Sequence, residues 1–302
     1  MKNIALLLIF GFLSIQAQAV FPKGQSQASS TPPKTNNTLN FPDTAFSDME
    51  RAFLESEAEP TLQDEYFLGR AVAANILSIY KPYTANPALT SYVNLICQTI
   101  VINSPHPEIF NGYHALVLDS PEFNAFSSPG GHIFITKGLV ELTTSEDMLA
   151  AVIAHELAHV MLKHSANLIS TMGFSNEMSA IADRASGIAS SGSTSVQRLL
   201  AFRDSVTAMM DTLLKNGYSQ KQEMESDQEA IILLAASGYN PQAILDVLKL
   251  LQGTVNSQRS GFNTTHPSAR ERIINVGLWI GYRQGGDNSS LRSARFRKAM
   301  AR

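Results

Sequence analysis

Apolar residues recur at helical spacing along most of the chain after residue 65. This periodicity predicts helices over residues 65–80, 88–103, 145–164, 196–216, 220–237, 241–251 and 268–277. Two strand-like runs, residues 113–118 and 132–136, lie on either side of a turn-rich segment at residues 127–131. A few strands among many helices are typical of the α+β class, so we expect a helix-dominated α+β fold with a small antiparallel sheet.

The helix predicted over residues 145–164 is apolar on most sides and begins at a capping residue, Ser145, which indicates a helix buried in the core. It carries His155, Glu156 and His159 in the pattern HExxH. Four helical residues advance about 400°, so the two imidazoles share one face and can reach one ion, whereas Glu156 lies about 100° away. Polar side chains in an apolar helix are costly unless they are paired or coordinated, which favours a metal site over a stray pair of surface histidines. Glu156 is then the candidate base that takes a proton from the attacking water.

Two histidines leave a catalytic zinc site incomplete, because such sites usually have three protein ligands and one open position. Positions 162 and 165 are Leu and Ser, which excludes a third histidine at the spacing HExxHxxGxxH. His164 lies about 140° around the helix from His159, so we expect it to point away from the site and to be structural.

Glu223 is a better candidate for the third ligand. It lies four residues before Asp227 on the helix predicted over residues 220–237, and therefore on the same face. Asp227 could accept a hydrogen bond from a ligating imidazole and fix its tautomer. Glu225 and Glu229 fall on other faces, where we expect a solvated acidic surface. ExxxD is a weak motif when it is taken alone.

Four segments, in the same order, resemble the M48 metallopeptidases: residues 124–139 (NAFSSPGGHIFITKGL), 155–164 (HELAHVMLKH), 223–227 (EMESD) and 265–273 (THPSARERI). The resemblance covers most of the chain from about residue 67 to residue 277. It implies a zincin-like (gluzincin) metallopeptidase fold with HExxH on the active-site helix. It also implies a metalloendopeptidase with one Zn²⁺ per chain, held by His155, His159 and Glu223.

The resemblance further suggests that His266, in its His-Pro motif, approaches the metal and that Arg272 lies nearby. Either side chain could donate a hydrogen bond to the oxyanion that develops on the substrate carbonyl. Alternatively, His266 could cap the metal as a fourth ligand in a resting state. The sequence does not choose between these roles.

The strand predicted over residues 132–136 is the candidate substrate strand. We expect it to form the sheet edge that faces the cleft, where an extended substrate pairs through its backbone. Its contacts would come from Gly131, His132, Ile133 and Phe134, with Ile133 facing the core. Backbone pairing is largely indifferent to side chains, which predicts broad specificity for unfolded or extended segments. The alternative is an ordinary hairpin strand.

The N-terminal segment has the pattern of an export signal. Lys2 supplies the positive charge, residues 4–13 the apolar core and residues 17–19 the small-residue cleavage site, so residues 1–19 are a predicted signal peptide. Residues 20–42 are rich in polar residues and proline and predict a disordered leader. Residues 43–302 then form a single peptidase domain. Within it, residues 165–195 are a candidate lid or a surface loop without a gating role, and residues 285–302 are expected to be a flexible tail.

The composition limits where the protein can act and which partners it can bind. After the signal, no apolar run is long enough to span a bilayer, so the chain resembles a soluble exported branch of the family, periplasmic or secreted. Cys97 is the only cysteine, which excludes an internal disulfide and predicts a buried, unreactive thiol. The net charge of −3 without a basic cluster argues against nucleic acid.

We therefore expect a protease of unfolded or misassembled envelope proteins, working in protein quality control. Its partners would be unfolded or extended polypeptides and an envelope assembly machinery. The alternative is a chaperone-like holdase whose zinc site is kept latent by His266.

Overall fold

The computed structural model describes residues 62–169, 207, 217–254, 261–267, 269–281 and 289–301. Within these residues the strands are β1 (His114–Leu118), β2 (Ala125–Ser128) and β3 (His132–Thr136). The helices, in chain order, are α1 (Leu62–Ile79), α2 (Pro87–Ile102), α3 (Lys137–Leu142), α4 (Glu146–Met161), α5 (His164–Ile169), α6 (Gln220–Ala236), α7 (Gln242–Gln252), α8 (Phe262–Thr265), α9 (Ala269–Ile280) and α10 (Ser289–Met300). The predicted helix-dominated α+β class is confirmed.

The sheet is mixed, with the strand order β1-β3-β2. β2 and β3 form an antiparallel hairpin in which Phe126 lies opposite Phe134, and its turn contains Gly130 and Gly131, both with positive φ. β1 pairs with β3 in parallel. The expectation of an antiparallel sheet was therefore wrong. The sequence pattern did not predict β2, which lies between β1 and β3 in the chain, so the chain reverses its direction twice and β1 and β3 run parallel.

β3 is the central strand, so it is not the sheet edge that the sequence predicted for substrate binding. Both of its sides are occupied by ladder hydrogen bonds to β1 and β2, and all five of its residues are buried. The expected alternation is nevertheless present. Ile133 and Ile135 belong to the main core, and Phe134 packs into a second cluster beneath α1 on the other face.

α4 runs through the middle of the core. It packs against α2, α6, α7, α10 and the sheet, and Leu149, Ile153 and Leu157 on it are completely buried. Ser145 caps it as expected, because its side chain accepts a hydrogen bond from the backbone N–H of Met148. Cys97 on α2 is also fully buried, and burial raises the pKa of its thiol to about 12, as an unreactive thiol requires.

The C-terminal segment is not a flexible tail, because residues 289–300 form α10 and pack on α4. The guanidinium of Arg295 contacts the Glu146 carboxylate at 3.1 and 2.5 Å, and Arg292 Nε donates to Asp147 at 3.0 Å. Phe296 enters the main core. The basic side chains of α10 thus compensate the acidic first turn of α4, a pairing that the local sequence of α10 does not reveal.

Several predictions fall outside the described residues. These are the signal peptide (1–19), the leader (20–42), most of the candidate lid (165–195) and, apart from residue 207, the helix predicted over 196–216. Among the described helices, none combines the length and the apolar character that crossing a bilayer requires.

Candidate metal centre

The HExxH helix brings its two imidazoles together as its spacing predicts. The Nε2 atoms of His155 and His159 lie 3.1 Å apart, on the part of α4 that is buried from all sides. Glu156 is also fully buried. Neither of its carboxylate oxygens makes a hydrogen bond to the described parts of the chain. A buried carboxylate without a hydrogen bond is costly, which points to a function in binding or proton transfer.

α6 supplies the carboxylate that the sequence proposed as third ligand. A capping box between Ser219 and Gln222 starts this helix and places Glu223 in its first turn, facing α4. The Glu223 carboxylate lies 3.4 Å from Nε2 of both His155 and His159, through different oxygens. Glu223 therefore lies on the helix and on the face that the i,i+4 spacing predicted, beside the two imidazoles.

His266 comes into the same cluster from the residue that follows α8. Its Nδ1 lies 3.1 Å from Glu223 Oε1 and 3.3 Å from His155 Nε2, while its Nε2 lies 3.3 Å from Glu156 Oε1. Its ring stacks on that of Phe262 with 4.2 Å between centroids. His266 is thus held between the predicted ligands and the predicted base.

The four side chains fit a metal ion. His155, His159, Glu223 and His266 each offer one ligand atom, all within 4.8 Å of one another, and all four are buried. Imidazole nitrogens with a carboxylate oxygen are the donor set of catalytic zinc. The unsatisfied oxygens of Glu156 beside this set are what a base for a water molecule at such an ion requires.

Arg272 lies next to these four side chains and contacts the carboxylates of both Asp227 and Glu223. Its Nε and NH2 atoms donate to Asp227 at 2.8 and 2.7 Å, and its NH1 lies 2.5 Å from Glu223 Oε2. Asp227 also contacts the Nδ1 atom of His155, at 3.1 Å. Asp227 therefore lies beside a predicted ligand imidazole, as the sequence predicted. The guanidinium of Arg272 is occupied by the carboxylates of Asp227 and Glu223.

The charges in the site are balanced by this arginine. Burial alone would raise the pKa of Glu223, but the positive Arg272 holds it well below its usual value, and the pKa of Asp227 is lowered in the same way. Burial and Arg272 disfavour a proton on His155, yet its hydrogen bonds to the two carboxylates outweigh them and raise its pKa to about 9. Burial lowers the pKa of His159. A bound cation would displace a proton from His155.

His164 does not point away from the site. Its Nδ1 lies 3.1 Å from His159 Nδ1, and its Nε2 lies 3.3 Å from Glu225 Oε2. The extrapolated helical angle was wrong because α4 ends at Met161: Lys163 adopts a φ of 56° and turns the chain so that His164 begins α5. Glu225 is accordingly more than the solvated acid that was expected, although its side chain is 42% exposed.

Tyr218 is a site residue that the sequence analysis missed. Its ring stacks on His159 with 3.8 Å between centroids, and its hydroxyl lies 2.7 Å from Ser165 Oγ. Its position immediately before the N-cap residue Ser219 gave no signal, because a hydrophobic staple needs an apolar residue at N4, and that residue is Glu223.

The four residues predicted to bind substrate, Gly131, His132, Ile133 and Phe134, are all buried. His132 stacks on Tyr66, and burial lowers its pKa to about 4. β2 lies at the edge of the sheet beside β3 and packs against α4 more extensively than β3 does. Within the described sheet, β2 is therefore an edge strand next to the HExxH helix, whereas β3 has a partner strand on both sides.

An HExxH pair on a buried helix, with a glutamate from a second helix, defines the site of a zincin-type metallopeptidase. The profile of Peptidase family M48 matches residues 87–279. The chain belongs to this family, as the resemblance of its four motifs indicated.

Three relatives illustrate the range of proteins to which the chain is similar. It is 28% identical over 193 residues to the mitochondrial metalloendopeptidase OMA1 of Schizosaccharomyces pombe, covering 63% of this chain and 53% of the relative. It is 25% identical over 197 residues to the beta-barrel assembly-enhancing protease of Escherichia coli, covering 65% and 39%. It is 28% identical over 155 residues to the metalloprotease LoiP of Escherichia coli, covering 51% and 58%. The chain thus matches less than two thirds of the length of each of these relatives.

Proposed function

We propose that the protein is a zinc-dependent endopeptidase that hydrolyses unfolded or misassembled polypeptides of the cell envelope. The observation that carries this proposal is the buried cluster of His155, His159 and Glu223 beside the unsatisfied carboxylate of Glu156. The envelope setting is supported by the predicted signal peptide and by the similarity to a beta-barrel assembly-enhancing protease.

His155, His159 and Glu223 would hold one Zn²⁺, which when bound polarises a water molecule and the scissile carbonyl. Glu156 would take the proton of the attacking water at one of its carboxylate oxygens and deliver it to the leaving amine. Asp227 would accept a hydrogen bond from His155 Nδ1 and so present Nε2 to the ion.

Arg272 and His266 take different parts in this scheme. The guanidinium of Arg272 is bound to Asp227 and Glu223, so it would keep both carboxylates ionised rather than contact the substrate. His266 is then the side chain available to donate to the oxyanion, since its Nε2 already lies 3.3 Å from the base Glu156.

An extended substrate would pair with β2, which replaces the earlier assignment to β3. β2 packs against α4 and has only β3 as a strand partner among the described strands. Pairing through the backbone selects chain conformation more than side-chain identity, which suits a protease of unfolded segments.

The substrate class can be tested with one small protein presented in two states. The purified enzyme is incubated with the folded, disulfide-bonded protein and with the same protein after reduction and carboxymethylation, and products are identified by mass spectrometry. We expect internal cuts in the unfolded form alone, from enzyme that contains about one zinc per chain. Equal cleavage of both forms, or removal of terminal residues only, would overturn the assignment.

A second candidate is a latent form of the same site, in which His266 caps the metal. It is favoured by the burial of His266, which is 1% exposed, and by its contacts with both Glu223 and Glu156. His266→Ala separates the two: higher activity at equal zinc content indicates a cap, and lower activity indicates support of the oxyanion. A holdase would suppress aggregation of the unfolded protein without cutting it in either variant.

A further inference from the structure

A short chain of polar contacts leads from the predicted ligand His159 to the protein surface, and none of its members beyond His159 has a part in the proposed reaction. His159 Nδ1 lies 3.1 Å from His164 Nδ1, and His164 Nε2 lies 3.3 Å from Glu225 Oε2. His164 is 5% exposed, whereas the Glu225 side chain is 42% exposed. The hydroxyl of Ser226 is a further neighbour, 3.2 Å from His164 Nδ1.

The positions of the protons along this chain of contacts follow from which atoms can donate a hydrogen bond. The Glu225 carboxylate accepts hydrogen bonds only, so His164 carries its proton on Nε2. In a neutral imidazole the other nitrogen, Nδ1, is then an acceptor. It receives the Nδ1 proton of His159, which leaves the Nε2 lone pair of His159 free to bind a metal.

The opposite arrangement is incompatible with the predicted ligand role. If His164 carried a proton on Nδ1, that proton would meet the Nδ1 proton of a metal-binding His159, and two donors would face each other at 3.1 Å. Ser226 can rotate its hydroxyl to suit either state and therefore does not select one. Glu225 is the group that selects the tautomer.

We propose that His164 and Glu225 are positioning residues that fix the tautomer and ring orientation of His159. This inference rests on the proposed function, because it assumes that His159 ligates the metal through Nε2. The site then has two separate supports: Asp227 faces Nδ1 of His155 at 3.1 Å, and the pair of His164 and Glu225 serves His159.

The alternative is that His164 has only a packing role between α4 and α6. Variants of both residues distinguish these readings. His164→Phe keeps an aromatic ring but removes both nitrogens, and Glu225→Ala removes the acceptor at a position where the side chain is partly exposed. Glu225→Gln retains an acceptor oxygen. Lys221→Ala is the control, because Lys221 lies on the same helix 3.7 Å from Glu225.

Zinc affinity is measured by competition with a chromophoric chelator. Loss of a hydrogen-bond partner of a metal ligand typically weakens metal binding by about 10- to 100-fold, and we expect this for His164→Phe. Glu225→Ala should weaken it by a smaller factor, while Glu225→Gln and Lys221→Ala stay near wild type. If Glu225 acts through His164, the double variant His164→Phe/Glu225→Ala is no weaker than His164→Phe alone.

The tautomers provide a readout that a packing role would not alter. In ¹⁵N-labelled, zinc-loaded protein, long-range ¹H–¹⁵N correlations of the imidazoles should show His159 protonated at Nδ1 and His164 protonated at Nε2. Unchanged zinc affinity in His164→Phe, or a His164 protonated at Nδ1 alone, would overturn the proposal. A wild-type protein that binds no zinc would instead refute the proposed function, so the two failures are distinct.

Discussion

Replacing Arg272 by methionine tests how the buried charges of the site are balanced. Arg272 is 2% exposed and is shared by the fully buried carboxylates of Glu223 and Asp227, with two hydrogen bonds to Asp227 at 2.8 and 2.7 Å. Removing one partner of a buried ion pair typically costs about 3–5 kcal/mol, because the remaining charge is uncompensated. We expect a loss of this size in the free energy of unfolding of the zinc-free protein.

The loss should depend on pH in a defined direction. Burial would raise the pKa of Asp227, but Arg272 lowers it in the folded protein. A carboxyl with a lowered folded pKa stabilises the fold above its unfolded pKa of about 3.9, and this contribution disappears as the pH falls through the folded pKa. Without Arg272, the contact with His155 is left to oppose burial, so we expect the folded pKa of Asp227 to rise above the unfolded value and its ionised form to become destabilising. The difference between wild type and Arg272→Met should therefore be largest near pH 7 and shrink towards pH 4.

The assay is urea unfolding with a metal chelator present, followed by circular dichroism at both pH values. Arg270→Met is the matched control, because Arg270 is an exposed arginine on the same helix, and it should stay within about 0.5 kcal/mol of wild type. Adding Asp227→Asn to Arg272→Met should recover part of the loss, since it removes one of the unpaired charges. A loss below about 1 kcal/mol, or one independent of pH, would refute the reasoning.

Two further substitutions, each compared with a control variant, have defined expected outcomes. Glu223→Ala should reduce the zinc content measured by atomic absorption, whereas Glu229→Ala on the same helix should retain about one zinc per chain; retention in both would remove Glu223 from the ligand set. Gly69→Ala should destabilise the fold by about 1–3 kcal/mol or more, because its new Cβ would lie 1.6 Å from the Pro129 carbonyl oxygen. In contrast, Gly277→Ala meets no atom within 4 Å and should be neutral or stabilising by up to about 1 kcal/mol, with both variants measured by urea unfolding. Equal effects of the two substitutions would contradict the close approach of α1 to the hairpin turn.

The parts of the site that lie within one helix could be predicted from the sequence. The 3.6-residue period fixes which side chains share a face, so the pairing of His155 with His159 and of Glu223 with Asp227 required no knowledge of the rest of the fold. His164 shows the limit of this reasoning. No glycine or proline marks the end of α4, and the left-handed Lys163 that redirects the chain has no clear local signal.

Features that depend on distant partners could not be predicted in this way. β2 is four residues long and buried at every position, so it shows no alternation of apolar and polar residues. Its insertion between β1 and β3 in the chain determines the parallel pairing of those two strands. α10 appears solvated from its composition, yet Arg295 pairs with Glu146, which lies 149 residues away.

The central claim is that Glu156 is the base of a zinc-dependent peptide hydrolysis. The most direct test compares wild type with Glu156→Gln, at equal zinc content, on an unfolded test protein whose fragments are identified by mass spectrometry. Removing a general base typically slows a reaction by about 10²–10⁴-fold, so we expect internal cuts with wild type and almost none with the variant. Cleavage by Glu156→Gln at the wild-type rate and at the same bonds would contradict the account.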